Sequence, residues 1–107
     1  MKKLLITLFT LWSGAVFALE GYINGKSWFG CANRDYFRKL VRYTVQGDKD
    51  AFVKALAIGI QTGVCTIFKD GERVYITDTS LFRGEVRVRR PGQMVEYWTV
   101  MEAVKSK

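Results

Sequence analysis

Residues 48–61 read DKDAFVKALAIGIQ, and no other stretch restricts the fold as much. Asp48 follows Gly47 and is a good N-cap, because its short carboxylate can accept an otherwise unpaired helix N–H. Asp50 and Lys54 stand at i,i+4, and Gln61 lies about two turns beyond Lys54, so one narrow polar seam can meet water. The remaining positions are apolar, and a helix apolar on nearly every side belongs in a core. The expectation is a buried helix with Phe52, Leu56 and Ile60 inside. Ala51, Ala55, Gly59 and Gly63 recur at every fourth position and make a smooth strip for close packing. As a partner groove that spacing is a weak signal outside membranes.

The stretch before it has the same period with more charge. In residues 34–45, Phe37, Leu40, Val41 and Thr44 fall at i, i+3, i+4 and i+7, one face of a helix. Arg34, Arg38 and Arg42 make a second stripe, and Asp35 is spaced to pair with Lys39. Gly47 suits the left-handed position that ends a helix. Two helices joined this tightly form an αα-hairpin over residues 33–62.

After Gly63 the period becomes two. Residues 64–68 read as a strand, Asp70-Gly71 as a hairpin turn and residues 73–77 as the partner strand. Residues 78–84 read as a loop that exposes Leu81 and Phe82. Residues 85–89 alternate strictly, with Val86 and Val88 inward and Glu85, Arg87 and Arg89 outward. Arg90-Pro91-Gly92-Gln93 has the proline and glycine of a type II turn, and residues 94–100 form the last strand. Ahead of the helices, residues 19–30 carry Tyr22, Trp28 and Phe29 around the turn dipeptide Asn24-Gly25. They read as a small hairpin or extended arm covering the core. The fold class is therefore α+β: an N-terminal αα-hairpin beside a small antiparallel sheet over residues 64–104.

The N-terminus has the order of a signal peptide: basic Lys2-Lys3, apolar residues 4–12, then Val16-Phe17-Ala18 ending small. The apolar run is short for a bilayer span, which takes about 20 residues. With cleavage after Ala18, residues 1–18 leave the 107-residue chain, and a single domain of 89 remains. Lys2 and Lys3 go with them, so the net charge falls from +7 to +5. A core this small often needs a covalent staple. Cys31 and Cys65 are the only cysteines, and exported chains meet an oxidising compartment, periplasm or medium. A disulfide between them would pin the helical hairpin to the sheet.

The segment Lys69-Asp70-Gly71-Glu72-Arg73-Val74-Tyr75, followed by Glu85-Val86-Arg87-Val88, Pro91-Gly92 and Tyr97-Trp98-Thr99, resembles bacterial SH3-like domains across residues 64–104. That resemblance implies a small five-stranded barrel, here partial, used for binding and often directed at cell-wall peptide or protein. The family's opening strand, with its asparagine-valine-arginine signature, is missing, and the helix pair stands in its place. Because that opening contributes to the family's ligand groove, a cell-wall ligand is not carried over.

Catalytic chemistry has little to work with. There is no histidine, which removes the commonest general base and metal ligand. Bridged cysteines leave no thiol, and Ser80 has no base near it in sequence. Asp48-Lys49-Asp50 reads as helix capping, and nothing matches a phosphate loop or a zinc spacing. The expectation is a protein that is not an enzyme and carries no cofactor or metal.

Surface chemistry is what remains. Arg73, Arg83, Arg87, Arg89 and Arg90 gather in the sheet half, and arginine forks suit carboxylate and phosphate. With Phe82, Tyr75 and Trp98, the residues Arg83, Arg87, Arg89 and Arg90 are the candidate binding set. The sequence predicts a binding module for another exported or envelope protein. The alternative is a binder of an anionic envelope surface: lipid, lipopolysaccharide or cell-wall polymer. Export argues against nucleic acid, and the sequence leaves the oligomeric state open.

Overall fold

The computed structural model describes residues 19–107, and the segment read as a signal peptide, 1–18, lies outside the described residues. These residues form an α+β fold of two helices and one seven-stranded antiparallel sheet. The chain enters as β1 (Leu19–Ile23) and β2 (Phe29–Cys31) and runs through α1 (Arg34–Gln46) and α2 (Lys49–Gln61). It continues as β3 (Cys65–Ile67), β4 (Arg73–Ser80), β5 (Glu85–Arg89) and β6 (Glu96–Val100), then a 3-10 turn, Met101–Ala103, and β7 (Val104–Ser106). The strand order is β3-β2-β6-β5-β4-β1-β7.

Local chemistry sets the helix ends. Asn33 caps α1 by accepting the Tyr36 N–H, and Asp48 caps α2 by accepting the Ala51 N–H at 3.1 Å. Gly47 sits at φ 73°, where a side chain is disfavoured, and its N–H donates to Thr44 C=O. One helix stops and the next starts within two residues. The tyrosine hydroxyl of Tyr36 ties the helices together by donating to Ala55 C=O at 2.6 Å. In the β5–β6 turn, Gly92 has φ 80° and the Gln93 N–H donates to Arg90 C=O, as the proline-glycine pair requires.

The sheet departs from expectation in three places. Asp70-Gly71 closes no hairpin, because β3 pairs with β2 while β4 lies between β1 and β5. Residues 69–72 turn back on β1 instead: the Gly71 N–H donates to Ile23 C=O, and Asp70 accepts the Gly25 N–H. Next, β4 continues to Ser80 across a bulge between Ile76 and Asp78, into what reads as loop. Last, residues 19–30 supply β1 and most of β2 to the main sheet rather than a hairpin of their own.

Alternation along β6 divides the interior in two. Tyr97 joins Ile23, Phe68, Val74, Val86 and Val88 on one face of the sheet. Trp98 points the other way, into a cluster with Cys31, Phe37, Leu40 and Cys65 beneath the helices. Cys31 and Cys65 face each other across β2 and β3 and are disulfide-bonded.

The buried helix is the main correction. Within α2 only Gly59 is buried; Phe52 and Leu56 are half-buried, Ile60 is 42% exposed and Val53 57% exposed. The cause is layering: α2 leans on α1 and β3, and no described element covers its far side. Its small-residue strip does pack. A Cβ added at Gly59 would stand 2.6 Å from the Cys65 sulfur, so glycine here lets the helix rest on the disulfide.

Candidate functional site

Alternation along β5 sends Val86 and Val88 into the core and Glu85, Arg87 and Arg89 to the opposite face. That face is partly roofed by α1. Glu85 is buried as a result, with Arg34 at 2.9 Å and Arg38 at 3.4 Å on its carboxylate. The arginine stripe of α1 was legible as a stripe. Its carboxylate partner, 51 residues on from Arg34, was not.

The candidate residues fall into three settings. Trp98, opposite Arg87 in the β5–β6 register, is only 7% exposed. The guanidinium of Arg34 stands 4.2 Å from its ring centre and that of Arg87 5.3 Å. Arg87 also lies 3.9 Å from Glu96 and 4.0 Å from Asp78. Arg89 lies over the half-buried ring of Tyr75 and donates to Gln93 C=O.

Arg90 is engaged more fully still. It donates to both Glu72 oxygens, to Thr66 Oγ1 and to Ile67 C=O, over the rings of Phe68 and Tyr97. Such a guanidinium ties β3 to the β5–β6 turn; its fork is already filled. Arg87 and Arg90 therefore spend their charge inside the molecule.

The third setting is the β4–β5 tip. Leu81 is 79% exposed, Phe82 is fully exposed, and Arg83 is exposed with no ion pair among the described residues. The tip follows Ser80, whose register partner is the clamped Glu85. An apolar pair thus projects from a hairpin fixed at its base by two arginines.

A concave surface elsewhere had no signal in the sequence. An open groove of about 530 Å³ lies where the β1–β2 connection meets the α1–α2 junction. Trp28, Phe29, Tyr43, Phe52 and Val53 line it, together with Asp48 and Lys49. The rings of Phe29 and Phe52 meet edge to face at 5.3 Å, and the Trp28 indole is fixed by donating to Asn24 C=O. Its aromatics come from the β1–β2 connection, β2, α1 and α2, so only the fold assembles it.

Among the described residues, no group of three or more His, Cys, Asp or Glu side chains is placed to hold a metal ion. No helix among them is long and apolar enough to cross a membrane. No protein-family model, no curated protein and no solved structure matches the chain.

Proposed function

We propose that this chain is a small exported binding module, not an enzyme, that engages another exported or envelope protein through its sheet half. The observation that carries the reading is the β4–β5 tip, where Leu81 and Phe82 stand in water beside Arg83. An apolar aromatic held in water costs solvation and contributes nothing to this fold, whereas aromatics and arginine concentrate energy at interfaces. Of the sheet-half residues, Phe82 and Arg83 make the contact, Arg89 with Tyr75 flanks it, and Trp98, Arg87 and Arg90 build the support.

The SH3-like resemblance of residues 64–104 is kept as part of this proposal, with β1 lying beside β4 where the sequence reading finds no opening strand. What supports this is the antiparallel run β4–β5–β6, with β1 lying between β4 and β7. Its interior is the cluster of Ile23, Val74, Val86, Val88 and Tyr97. The disulfide is compatible with export.

Phe82→Ala tests the assignment. The ring has no packing to lose, so stability should change by less than about 0.5 kcal/mol. Affinity for a partner purified from envelope extract should fall at least tenfold, about 1.4 kcal/mol or more. A partner bound equally well by this variant excludes the tip. Binding that instead collapses with added salt favours the anionic envelope surface, since exposed charges are screened.

A further inference from the structure

We infer that the outward face of β1, β4 and β7 is a binding site for an acidic polysaccharide, separate from the β4–β5 tip and independent of it. Strand register defines the face. Across the neighbouring strands β7, β1 and β4, Lys105 stands opposite Tyr22, and Tyr22 opposite Arg73. Directly opposed residues share a face, and Ile23 and Val74 beside them turn to the core. The helices pack on β2, β3 and β6 and leave this part of the sheet bare. Tyr22 is 39% exposed, and Arg73 and Lys105 stand in water on either side of it. In the next row Glu20, Tyr75 and Arg89 lie side by side, with the Arg89 guanidinium 5.0 Å over the Tyr75 ring.

The carboxylates of this face, Glu20, Asp78 and Glu96, are already paired. Glu20 lies 3.9 Å from Lys107, and Arg87 lies 4.0 Å from Asp78 and 3.9 Å from Glu96. In the adjoining turn Glu72 is held by Arg90, and Asp70 accepts the Gly25 N–H. Arg73, Arg89 and Lys105 are left without an ion pair among the described residues. Against them stands Glu102, exposed in the 3-10 turn ahead of β7. The surplus is positive, and it selects an anion.

The layout selects a polymer of sugars. Guanidinium and ammonium groups bind oxyanions through charge-assisted hydrogen bonds. Lys105 and Arg73 stand two strand spacings apart, about 10 Å, a separation met by successive charges along a chain rather than by one ion. Tyr22 lies between them and offers a flat ring and a hydroxyl to the sugar that joins those charges. Nucleic acid fits less well, because stacked bases need open ring faces and Arg89 already covers Tyr75. The rows hold no aliphatic side chain to form a dry protein interface or to enter a bilayer.

The test titrates the full exported protein with oligogalacturonate, a chain of carboxylated sugars, at about 0.15 M salt. The readout is the backbone amide NMR signals of Tyr22, Arg73 and Lys105. The inference expects saturable shifts with oligogalacturonate and none with neutral dextran. Arg73→Ala with Lys105→Ala should weaken binding at least tenfold. Lys39→Ala with Lys54→Ala, the same loss of charge on the helices, should leave it unchanged. Tyr22→Thr, which keeps a strand former and removes the ring, should weaken it at least threefold.

Equal weakening by the two charge-removing pairs overturns the inference in favour of diffuse attraction, as does indifference to Tyr22→Thr. Tighter binding of oligothymidylate overturns it in favour of nucleic acid. Movement of the same signals by phosphatidylglycerol vesicles but not by oligogalacturonate overturns it in favour of lipid, and no shift with any probe overturns it outright. Phe82→Ala should leave the sugar affinity unchanged, so failure at this face and failure at the tip are read apart.

Discussion

Trp98→Ala is expected to destabilise the fold by about 3–5 kcal/mol, the usual cost of truncating a buried large aromatic to alanine. Trp98 is nearly enclosed, and it carries two loads. Its ring fills the space beneath α1 with Phe37, Leu40 and the disulfide. Its faces also hold the guanidiniums of Arg34 and Arg87, and Arg34 is in turn one of the two clamps on buried Glu85. Removing the ring leaves a cavity and loosens the cation that keeps a buried carboxylate paired. Urea denaturation measures the loss. A cost under about 1 kcal/mol would return Trp98 to the surface as a free contact residue.

Replacing both cysteines, Cys31→Ser with Cys65→Ser, is expected to cost about 3.8 kcal/mol by the chain-entropy account for a loop of this length. The bond spans 34 residues and encloses both helices. It stabilises a vulnerable place, since β3 is three residues long and lies at the sheet edge. A small domain has only about 5–15 kcal/mol in total, so this is a large share. The melting temperature should fall by about 15–30 °C, from the usual 4–8 °C per kcal/mol at this size. Calorimetry of the oxidised protein beside the double variant settles it; a drop of only about 2–3 °C would mean that packing alone holds β3 on β2.

What could be read from the sequence was what local chemistry decides. Gly47 and Asp48 mark the helix junction because a left-handed residue and a cap are needed there whatever surrounds them. The inward and outward positions of Val86, Arg87 and Val88 follow from strand period alone. Long-range strand pairing was not legible, whereas the Cys31–Cys65 link was. Asp70-Gly71 is a good turn, yet β3 pairs with β2, because which strand takes the free edge depends on residues far away. For Trp98, alternation gives two faces, and only the position of α1 makes both of them buried.

The arginines show the same limit. Arg90 is a candidate binding residue by sequence, and in the fold its guanidinium meets Glu72 and Thr66. The apolar circumference of α2 was legible, but it predicts that something covers the helix, not that the cover comes from this chain. No described element covers its far side, where Val53, Ile58 and Ile60 are exposed.

The central claim, that a protein partner meets the β4–β5 tip, is tested most directly by photo-crosslinking in intact cells that produce the chain. A benzophenone amino acid replaces Phe82 in one strain and Lys69, exposed but outside the proposed contact, in another. One discrete protein adduct is expected from position 82 upon irradiation, and none of that mass from position 69. Adducts of identical pattern from both positions, or lipid adducts alone from position 82, would contradict it.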